Sequence, residues 1–418
     1  MKTIAIIGGG ITGVTTAYAL AKRGFDVTLF ERHRYAAMET SFANGGQLSA
    51  SNAEVWTHWS TILKGLKWML KSDAPLLVNP APTWHKLSWF AEFMASIPDY
   101  ERNTVETARM AVAARQHLFA WAAEEGIDFD HKREGILHIY RDKKGFDHAG
   151  KVSELLAKGG LPRRAVTPTE MKAIEPTLAG TYYGGYFTES DSTGDIHKFT
   201  NGLAAAAARL GVRTLYGQDV ATVQSNGTQV VITVAQEDAA PSVHTFDGVV
   251  VCAGVASRDF AAQLGDRVNI YPVKGYSITV NLNDAASQAG APNVSLLDDE
   301  TKLVTSRLGV DRFRVAGTAE FNGVNRDIRA DRIRPLIDWV EQCFPNINTR
   351  SVVPWAGLRP MMPNMMPRVG KGRAANVFYN TGHGHLGWTL SAVTADMLGN
   401  VVADTARAVQ VPGHLQTA

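Results

Sequence analysis

The feature that most constrains this chain is a glycine-rich turn between an apolar strand and a helix at its N-terminus. Residues 3–7 read as a short buried strand, and positions 8–13 continue as Gly-Gly-Gly-Ile-Thr-Gly, which has the spacing G-x-G-x-x-G. We expect a helix over residues 15–23, a second strand over residues 27–30, and Glu31 at the end of that strand. A strand, a glycine turn, a helix, a strand and an acid in this order are typical of a dinucleotide-binding unit.

Each glycine of the turn has a separate physical role. Gly8 permits the tight turn, Gly10 lets the backbone approach a pyrophosphate, and Gly13 lets the helix pack closely on the strand. The pyrophosphate then lies at the helix N-terminus, where free N–H groups and the dipole favour anions. Glu31 is placed to accept hydrogen bonds from ribose hydroxyls, and its charge disfavours a 2′-phosphate. The pattern leaves FAD and NAD open.

Composition excludes several classes of protein. The 418 residues carry 42 Lys and Arg against 40 Asp and Glu, with no long block of like charge, so we expect no nucleic-acid partner. The two cysteines, Cys252 and Cys343, exclude a disulfide framework. The glycines at 8–13 interrupt the N-terminal apolar stretch and argue against a signal peptide, and no uninterrupted apolar run is long enough to span a membrane. We expect a cytoplasmic protein of two or three domains.

The chain after Glu31 does not continue with further strand–helix units, as a nicotinamide dehydrogenase would. It moves to a polar, glycine-containing loop at residues 40–49, and a buried strand ending in Cys252-Ala253-Gly254 follows much later. That strand comes after a helix expected over residues 198–210 and strands near 219–225 and 229–234. A dinucleotide-binding domain interrupted by other segments accounts for this order.

Taken in order, these motifs resemble the D-amino acid oxidase superfamily of FAD enzymes. Tyr-Pro-Val-Lys-Gly-Tyr at 271–276, Gly-Leu-Arg-Pro at 357–360 and Asn-Thr-Gly-His-Gly-His-Leu-Gly-Trp-Thr at 380–389 extend the resemblance along essentially the whole chain. Within the superfamily, the chain is most similar to the bacterial D-amino acid dehydrogenase (small subunit) group. The resemblance implies FAD rather than NAD.

The implied fold is α/β, with a Rossmann-like FAD/NAD(P)-binding domain interleaved with a D-amino acid oxidase-like substrate domain built on an antiparallel sheet. We expect the FAD domain to comprise residues 1–56, 196–262 and 350–418. The substrate domain then takes residues 57–195 and 263–349, with a strand over 312–317 and a flanking helix over 105–124.

We expect FAD to be bound noncovalently, because no Cys or His stands clearly in a position for flavinylation. Three glycines precede a helix near residue 389, so N–H groups there can approach a planar ligand, which the resemblance identifies as the flavin N1/C2 carbonyl edge. The alternative reading of His383 and His385 as metal ligands lacks accompanying acidic or Cys ligands. The predicted cofactor contacts are Gly8, Gly10, Ile11, Thr12, Gly13, Glu31, Arg32, Ser41, Asn44, Gly45, Gly46, Gln47, Leu48, Val220, Cys252, Ala253, Gly254, Gly382, His383, Gly384, Leu386, Gly387, Trp388 and Thr389.

Arg359 is the main candidate for substrate binding. It precedes Pro360, which favours extended backbone, and a guanidinium can hold a carboxylate through two parallel hydrogen bonds. In the resembled family, the arginine of this Gly-x-Arg-Pro motif binds the substrate α-carboxylate. The competing interpretation is an arginine ion-paired within the fold. Tyr276 is a candidate second contact, with a half-buried sheet tyrosine as its alternative.

Three segments depart from the expected family pattern or invite a second interpretation. Residues 362–367 read Met-Pro-Asn-Met-Met-Pro where relatives carry small polar residues, and residues 49–56 also differ. We expect both to line the pocket for the substrate side chain and the methionines to make its rim more apolar. A helix over 57–71 has an apolar face and a lysine face, so it either packs on the core or contacts a membrane surface.

The resemblance implies oxidation of a D-amino acid by hydride transfer from Cα to flavin N5, which gives an imino acid that hydrolyses to a 2-oxo acid and ammonia. No residue is assigned as a catalytic base, since the neutral amine supplies the electron pair. The expected electron acceptor is a quinone or another carrier, with peripheral contact to the inner face of the membrane as a further possibility. Two alternatives stay open: oxidation of a secondary or cyclic amine such as D-proline, D-hydroxyproline, glycine or sarcosine, and a non-catalytic FAD-carrying subunit of a complex.

Overall fold

The computed structural model describes residues 1–59, 61–62, 75–235 and 240–410, so most of the predicted helix over 57–71 lies outside the described residues. The strands of these segments, in chain order, are β1 (Thr3–Ile7), β2 (Asp26–Glu31), β3 (Gln47–Leu48), β4 (Leu76–Val78), β5 (Ile136–Tyr140), β6 (Arg164–Val166), β7 (Gly184–Thr188), β8 (Ser192–Thr193), β9 (Arg213–Tyr216), β10 (Asp219–Ser225), β11 (Val230–Ala235), β12 (Ser242–Phe246), β13 (Gly248–Val251), β14 (Tyr271–Asn281), β15 (Ser295–Asp298), β16 (Leu303–Leu308), β17 (Arg312–Phe321), β18 (Val352–Met361), β19 (Arg368–Lys371) and β20 (Val377–Thr381).

The α-helices of the same segments are α1 (Ile11–Ala21), α2 (Trp84–Ala95), α3 (Tyr100–Glu124), α4 (Lys143–Lys158), α5 (Pro168–Ile174), α6 (Ile196–Arg209), α7 (Ser257–Gln263), α8 (Ala285–Gly290), α9 (Ala330–Cys343) and α10 (Gly387–Gln410). Helix α6 begins two residues before the predicted start because the Asp195 side chain accepts the N–H groups of His197 and Lys198 and caps it there. No helix in the described segments is long and apolar enough to cross a lipid bilayer.

A six-stranded sheet carries the N-terminal unit, in the order β19-β20-β13-β1-β2-β9. The strands from β20 to β9 are parallel, and β19 is antiparallel to β20. Strand β1 is continuously apolar because it lies in the middle of this sheet, with Ile4, Ala5 and Ile6 fully buried. The carboxyl ends of β1, β2 and β13 therefore meet at one edge, where a ligand of an open α/β sheet binds.

A nine-stranded sheet forms the other half of the molecule. Its order is β18-β14-β17-β16-β15-β5-β7-β6, and β4 also pairs with β17. Strands β14, β17 and β16 are antiparallel neighbours, as expected for the substrate domain. Helix α9 packs on one face of this sheet through Leu336 and Trp339.

The position of β18 differs from the expected domain boundary. It pairs with β14 over ten residue pairs, from Tyr271 opposite Met361 to Val280 opposite Val352. The last segment of the cofactor-binding half thus begins after Met361 rather than at residue 350. The boundary was misplaced because strand patterns alone do not reveal which sheet a strand joins.

Helix α1 can pack on β1 only because residue 13 is glycine. A Cβ atom at Gly13 would lie 1.8 Å from the Gly8 carbonyl oxygen, whereas a Cβ at Gly10 would find no atom closer than 3.6 Å. We expect Gly13→Ala to lower the free energy of unfolding of the apoprotein by about 1–3 kcal/mol, through overpacking. Urea unfolding measures this, with Gly10→Ala as the matched control of unchanged stability. Equal stability of the two variants would contradict the packing argument.

Candidate active site

A cavity of about 600 Å³ is lined by residues of both large sheets. From the six-stranded sheet it receives the residues that follow β1, β2 and β13. From the nine-stranded sheet it receives parts of β14, β17 and β18, and the glycine loop before α10 completes the wall. The two halves of the chain thus share one cavity.

The turn between β1 and α1 leaves backbone donors at the cavity wall. Gly8 has φ +108°, and a Cβ there would lie 2.6 Å from the Cys252 carbonyl oxygen, so only glycine fits. No side chain caps α1 at Gly10, and the Ile11 N–H donates to Ser41 Oγ at 3.0 Å. Ser41 therefore takes the first N–H of the helix, and an N-terminus without an N-cap side chain is suited to an anion such as a pyrophosphate.

Glu31 closes this turn from the side of β2. Its Oε2 accepts the Gly9 N–H at 2.6 Å, and its Oε1 accepts the His33 N–H at 2.8 Å. A carboxylate offers about four acceptor sites, so two interactions leave capacity for hydroxyl groups. The carboxylate lines the cavity, and its contact with a ribose stays a prediction.

The predicted cofactor residues fall into two groups. Gly13 and Leu48 do not line the cavity: Gly13 packs on Gly8, and Leu48 lies in the apolar core. Gln47 lines it, but its side-chain amide donates to Ser295 Oγ at 2.7 Å and is therefore turned toward the nine-stranded sheet. The others that line the cavity are Gly8, Gly10, Ile11, Thr12, Glu31, Arg32, Ser41, Asn44, Gly45, Gly46, Val220, Cys252, Ala253, Gly254, Gly382, His383, Gly384, Leu386, Gly387, Trp388 and Thr389.

The loop before α10 presents several polar atoms without protein partners. Gly382 and Gly384 have positive φ angles, which bend the loop along the cavity wall. Among the described residues, His383 Nδ1 and Trp388 Nε1 are buried and make no hydrogen bond. Buried polar groups are normally satisfied, so these atoms point to a bound polar ligand at the loop.

His383 and His385 each use one ring nitrogen in a hydrogen bond within the protein. His383 Nε2 is hydrogen-bonded to Thr394 Oγ1 at 2.9 Å, and His385 Nε2 to the Asn52 carbonyl oxygen at 3.1 Å. Burial lowers the pKa of His383 to about 3, and burial is also the main reason that the pKa of His385 falls to about 4. Both rings are therefore neutral near pH 7.

These features together fit FAD. The glycine turn and the N-terminus of α1 suit the pyrophosphate, Glu31 suits a ribose, and the unpartnered His383 Nδ1 and Trp388 Nε1 suit a heteroaromatic ring that carries both donors and acceptors. The Thr40–Gly46 part of the polar loop would lie between them; Ser277 Oγ donates to the Ala43 carbonyl oxygen and ties this loop to β14.

Arg359 lies on β18 in the same cavity. Its guanidinium covers Gly275 of β14, where a Cβ atom would lie 2.2 Å from Nη1. Nη1 donates to the Thr318 carbonyl oxygen at 2.9 Å, and no carboxylate among the described residues forms an ion pair with Arg359. Burial lowers the pKa of Arg359 to about 10, as expected for a cation that lacks a counter-ion. The competing prediction of an ion pair within the fold receives no support.

The strand that carries Arg359 is joined to the glycine loop. Met361, two residues after Arg359, forms an isolated antiparallel bridge with His383. A Cβ atom at Gly384 would lie 2.7 Å from Met361 Sδ, so loop and strand are in close contact. This bridge keeps the strand of Arg359 beside the loop that carries the unpartnered ring nitrogen of His383.

Tyr276 lines the same cavity, but its side chain lies on the face of β14 opposite to Arg359. Its hydroxyl donates to Glu320 Oε2 at 2.9 Å, and its ring packs in the core under α9. Alternation along a strand explains this, because Gly275, which faces Arg359, is the adjacent residue. The hydroxyl is therefore not offered to a substrate in this arrangement, and the geometry favours the alternative of a sheet tyrosine.

Of the two segments that depart from the family pattern, residues 49–56 contribute to the cavity wall, whereas the methionines of residues 362–367 do not. Asn52, Glu54, Val55 and Trp56 line the cavity, as expected for residues 49–56. The methionines at 362, 365 and 366 do not line it, because they pack behind the glycine loop and against other core residues. The apolar rim expected from those methionines is therefore not formed by them.

A buried polar network holds residues 49–52 in place. Asp191 is almost completely buried, and its carboxylate accepts the N–H groups of Ala50 and Ser51, each at 3.1 Å. Arg115 pairs with the same carboxylate at 2.6 Å, and His138 is hydrogen-bonded to Ser51 Oγ at 2.8 Å. This network positions the following cavity residues without itself lining the cavity.

Sequence reasoning missed several cavity residues. Trp355 could have been found, because it lies four positions before Arg359 and thus on the same strand face. Its ring covers Gly357, where a Cβ would lie 2.1 Å from Cη2. No motif marks the others, which come from α4, the β15–β16 turn and β17: His148, Asp299, Lys302 and Thr318.

Comparison with known proteins agrees with this geometry. The chain is 64% identical to D-amino acid dehydrogenase 3 of Mesorhizobium japonicum over 96% of this chain and 97% of that protein, and 40% identical to D-amino acid dehydrogenase of Paramagnetospirillum magneticum over 98% and 97%. The fold is similar to glycine oxidase from Geobacillus kaustophilus, with a TM-score of 0.74 and 20% identity over 98% of this chain and 95% of that one. A similar fold occurs in L-proline dehydrogenase from P. horikoshii, with a TM-score of 0.75 and 17% identity over 96% and 93%. The profile described as FAD dependent oxidoreductase (DAO) matches residues 3–401, and the chain therefore belongs to this family of FAD-dependent oxidoreductases.

Proposed function

We propose that this chain is an FAD-dependent D-amino acid dehydrogenase, which converts a D-amino acid into an imino acid that water hydrolyses to a 2-oxo acid and ammonia. The observation that carries the proposal is the half-buried Arg359 guanidinium, which has no carboxylate partner among the described residues and lies in the cavity that also contains the glycine loop. The names of the two relatives at 64% and 40% identity support the same substrate class.

Arg359 would bind the substrate α-carboxylate. Thr318 takes one N–H of the guanidinium, and the remaining donors can form the paired hydrogen bonds that a carboxylate accepts. An anionic substrate then supplies the missing counter-ion to a buried cation. Holding the carboxylate fixes the orientation of Cα in the cavity, and positioning of this kind contributes several kcal/mol to lowering a barrier.

FAD, when bound, supplies the two-electron acceptor for the hydride that leaves Cα. The residues of the chain prepare the site: the glycine loop and the start of α10 line the cavity, where helix N-terminal N–H groups would stabilise negative charge, and the neutral rings of His383 and His385 add no competing positive charge. The substrate amine must be neutral, because its lone pair forms the C=N bond as the hydride leaves. No side chain is needed as a base in this scheme.

The cofactor would be held noncovalently. Cys252 lines the cavity, but its thiol donates to Thr16 Oγ1 at 3.8 Å, and burial raises the pKa of this thiol to about 12. A protonated, buried thiol is a poor nucleophile toward a flavin.

The electron acceptor would be a quinone or another carrier rather than oxygen. The protein would be cytoplasmic and would contact the membrane surface. Support comes from the relatives' designation as dehydrogenases and from α2, which exposes Trp84, Leu87 and Met94 on one face. The Trp84 side chain is 81% exposed, and large exposed aromatic residues are typical of the membrane interface.

Substitution of Arg359 tests the proposed function directly. Anaerobic bleaching of the flavin by D-amino acids, and not by their L-enantiomers, is expected for the wild type. Arg359→Met should lower kcat/KM by about 10²–10³-fold, since a buried charge-assisted pair is worth about 2–5 kcal/mol. Arg359→Lys should recover only part of this loss because an ammonium cannot form the two parallel hydrogen bonds. Flavin content is the control; a variant that keeps both flavin and full activity would refute the assignment.

The pH dependence separates substrate ionisation from enzyme ionisation. Since burial holds the pKa of His383 at about 3 and lowers the pKa of His385 to about 4, both rings stay neutral above pH 5 and contribute no rise in activity between pH 5 and 8. We expect kcat/KM to increase with pH as the substrate amine loses its proton. Profiles recorded with two substrates of different amine pKa should shift with the substrate, and a rise that stays at the same pH would contradict this.

Membrane contact predicts binding of the holoenzyme to vesicles. We expect it to float with liposomes that contain anionic lipid at low salt, and Trp84→Glu to weaken this binding several-fold by removing an exposed aromatic side chain. Val310→Glu is the control, since Val310 is exposed on the β16–β17 turn, far along the chain from α2. The proposal of membrane contact would be contradicted if both variants floated equally with the liposomes, or if the wild-type protein did not float with them.

A further inference from the structure

One part of the cavity wall carries charged groups that neither cofactor binding nor the Arg359 contact uses. We define this polar wall as Glu54, His148, Asp299 and Lys302, all of which line the cavity. The charges of Arg359, Lys302 and Glu54 all act on the pKa of His385, so this ring lies within electrostatic range of both the arginine and the polar wall. A substrate whose carboxylate is held by Arg359 therefore has the polar wall within the same cavity for its side chain.

Glu54 offers an unused acceptor. Its Oε1 accepts the Tyr100 hydroxyl at 2.6 Å and lies 3.5 Å from His148 Nε2, whereas Oε2 has no hydrogen-bond partner among the described residues. Burial alone would raise the pKa of Glu54, but the hydrogen bonds from His148 and Tyr100 and the charge of Lys302 outweigh it and lower the pKa. The side chain is thus a carboxylate at neutral pH.

Lys302 offers unused donors. It lies in the turn between β15 and β16, its Nζ is 2.5 Å from Asp299 Oδ1, and 43% of its side-chain surface is accessible. An ammonium has three N–H donors, and Asp299 accounts for one of them. Lys302 and Glu54 both line the cavity, so the polar wall offers an acceptor and donors to the same space.

These groups discriminate between classes of substrate side chain. A cationic side chain that approaches Glu54 also meets the Lys302 ammonium, and an anionic one that approaches Lys302 also meets the carboxylates of Glu54 and Asp299, so a like charge on the wall opposes either ion. An apolar side chain would displace water from Glu54 and Lys302 without replacing its hydrogen bonds, which is costly for buried polar groups. A neutral group with both a donor and an acceptor satisfies both residues at once.

We infer that the preferred substrates are D-amino acids with a neutral hydrogen-bonding side chain, a hydroxyl or a carboxamide, recognised by Glu54 and Lys302. This inference rests on the proposed function and adds the substrate class to it. Glu54 accepts a hydrogen bond from the side chain, and Lys302 donates one to it. No covalent change is involved in this recognition.

Matched pairs of substrates test the inference. D-threonine and D-valine have nearly the same shape, as do D-asparagine and D-leucine, and 4-hydroxy-D-proline and D-proline form a cyclic pair. The rate of anaerobic flavin bleaching gives kcat/KM for each compound. We expect the polar member to be favoured by about tenfold or more in at least one pair, and D-lysine and D-glutamate to be poor substrates.

Two substitutions should reduce this preference. Lys302→Met removes the donors and should lower the polar-to-apolar ratio by about tenfold. Glu54→Gln removes the charge and should lower it by about fivefold, since hydrogen bonds to charged groups are roughly twice as strong as neutral ones. Lys302→Met should also improve the use of D-lysine, because the opposing cation is gone. Glu300→Gln is the matched control: Glu300 is in the same turn as Lys302, its side chain is 68% exposed, and it does not line the cavity.

A binding measurement separates recognition from chemistry and from loss of folding. Enzyme reduced with dithionite cannot accept a hydride, so calorimetry of D-threonine and D-valine gives their Kd values without turnover. The wild type should bind D-threonine more tightly, and Lys302→Met should remove the difference while binding D-valine as before. Loss of binding to both compounds would identify a misfolded variant, and the Glu54→Gln enzyme then decides the question.

The outcomes distinguish this inference from the proposed function. If no D-amino acid bleaches the flavin, the proposed function fails and the inference with it. If D-amino acids bleach the flavin but the apolar member of every pair reacts as fast as the polar one, only the inference fails. A preference for D-lysine or D-glutamate in the wild type would likewise overturn it alone.

Discussion

The antiparallel pairing of β14 with β18 is the constraint on which the site depends. Its ten residue pairs place Arg359 opposite Val273, so that the guanidinium lies over Gly275. The same strand then reaches His383 through the bridge at Met361 and so contacts the loop of the other sheet. One strand thereby holds the arginine and the cofactor loop in a fixed relation. A register shift of one residue would turn the arginine to the opposite face of the sheet.

The parts of the fold and the site that could be predicted from the sequence are those whose residues are close together along the chain. The order of β1, the glycine turn and α1 was predicted because these segments are consecutive and each glycine has its own steric reason, but α1 begins at Ile11, four residues before the expected start. Arg359 was found through a short motif. Tyr276 was predicted beside it and does line the cavity, but its hydroxyl donates to Glu320, since adjacent strand residues alternate and register is not visible in the sequence. Lys302 and His148 were missed because only tertiary packing brings the β15–β16 turn and α4 to the cavity.

Several groups in the cavity lower the free energy of unfolding of the protein. Arg359 is a half-buried cation with no carboxylate partner among the described residues, and desolvation keeps the pKa of its guanidinium low. Thr318, whose carbonyl accepts from Arg359, is a β-branched residue at φ +57° beside a register shift between β14 and β17, and its hydroxyl is buried without a partner. Residues in this conformation cost about 1–3 kcal/mol and persist where the surroundings impose them. The strained carbonyl fixes the direction of the arginine before any substrate arrives.

The wall residues and the arginine come from different parts of the fold. Asp191 and His138 anchor the segment leading to Glu54, and Lys302 lies at the tip of a hairpin, whereas Arg359 is in the middle of the pairing between β14 and β18. Hairpin tips accept substitutions and insertions more readily than paired strands do. Substitutions in the β15–β16 turn or in the segment leading to Glu54 would therefore change which amino acids an evolved enzyme oxidises. The strand pairing that holds Arg359, and with it the oxidation step, would stay unchanged.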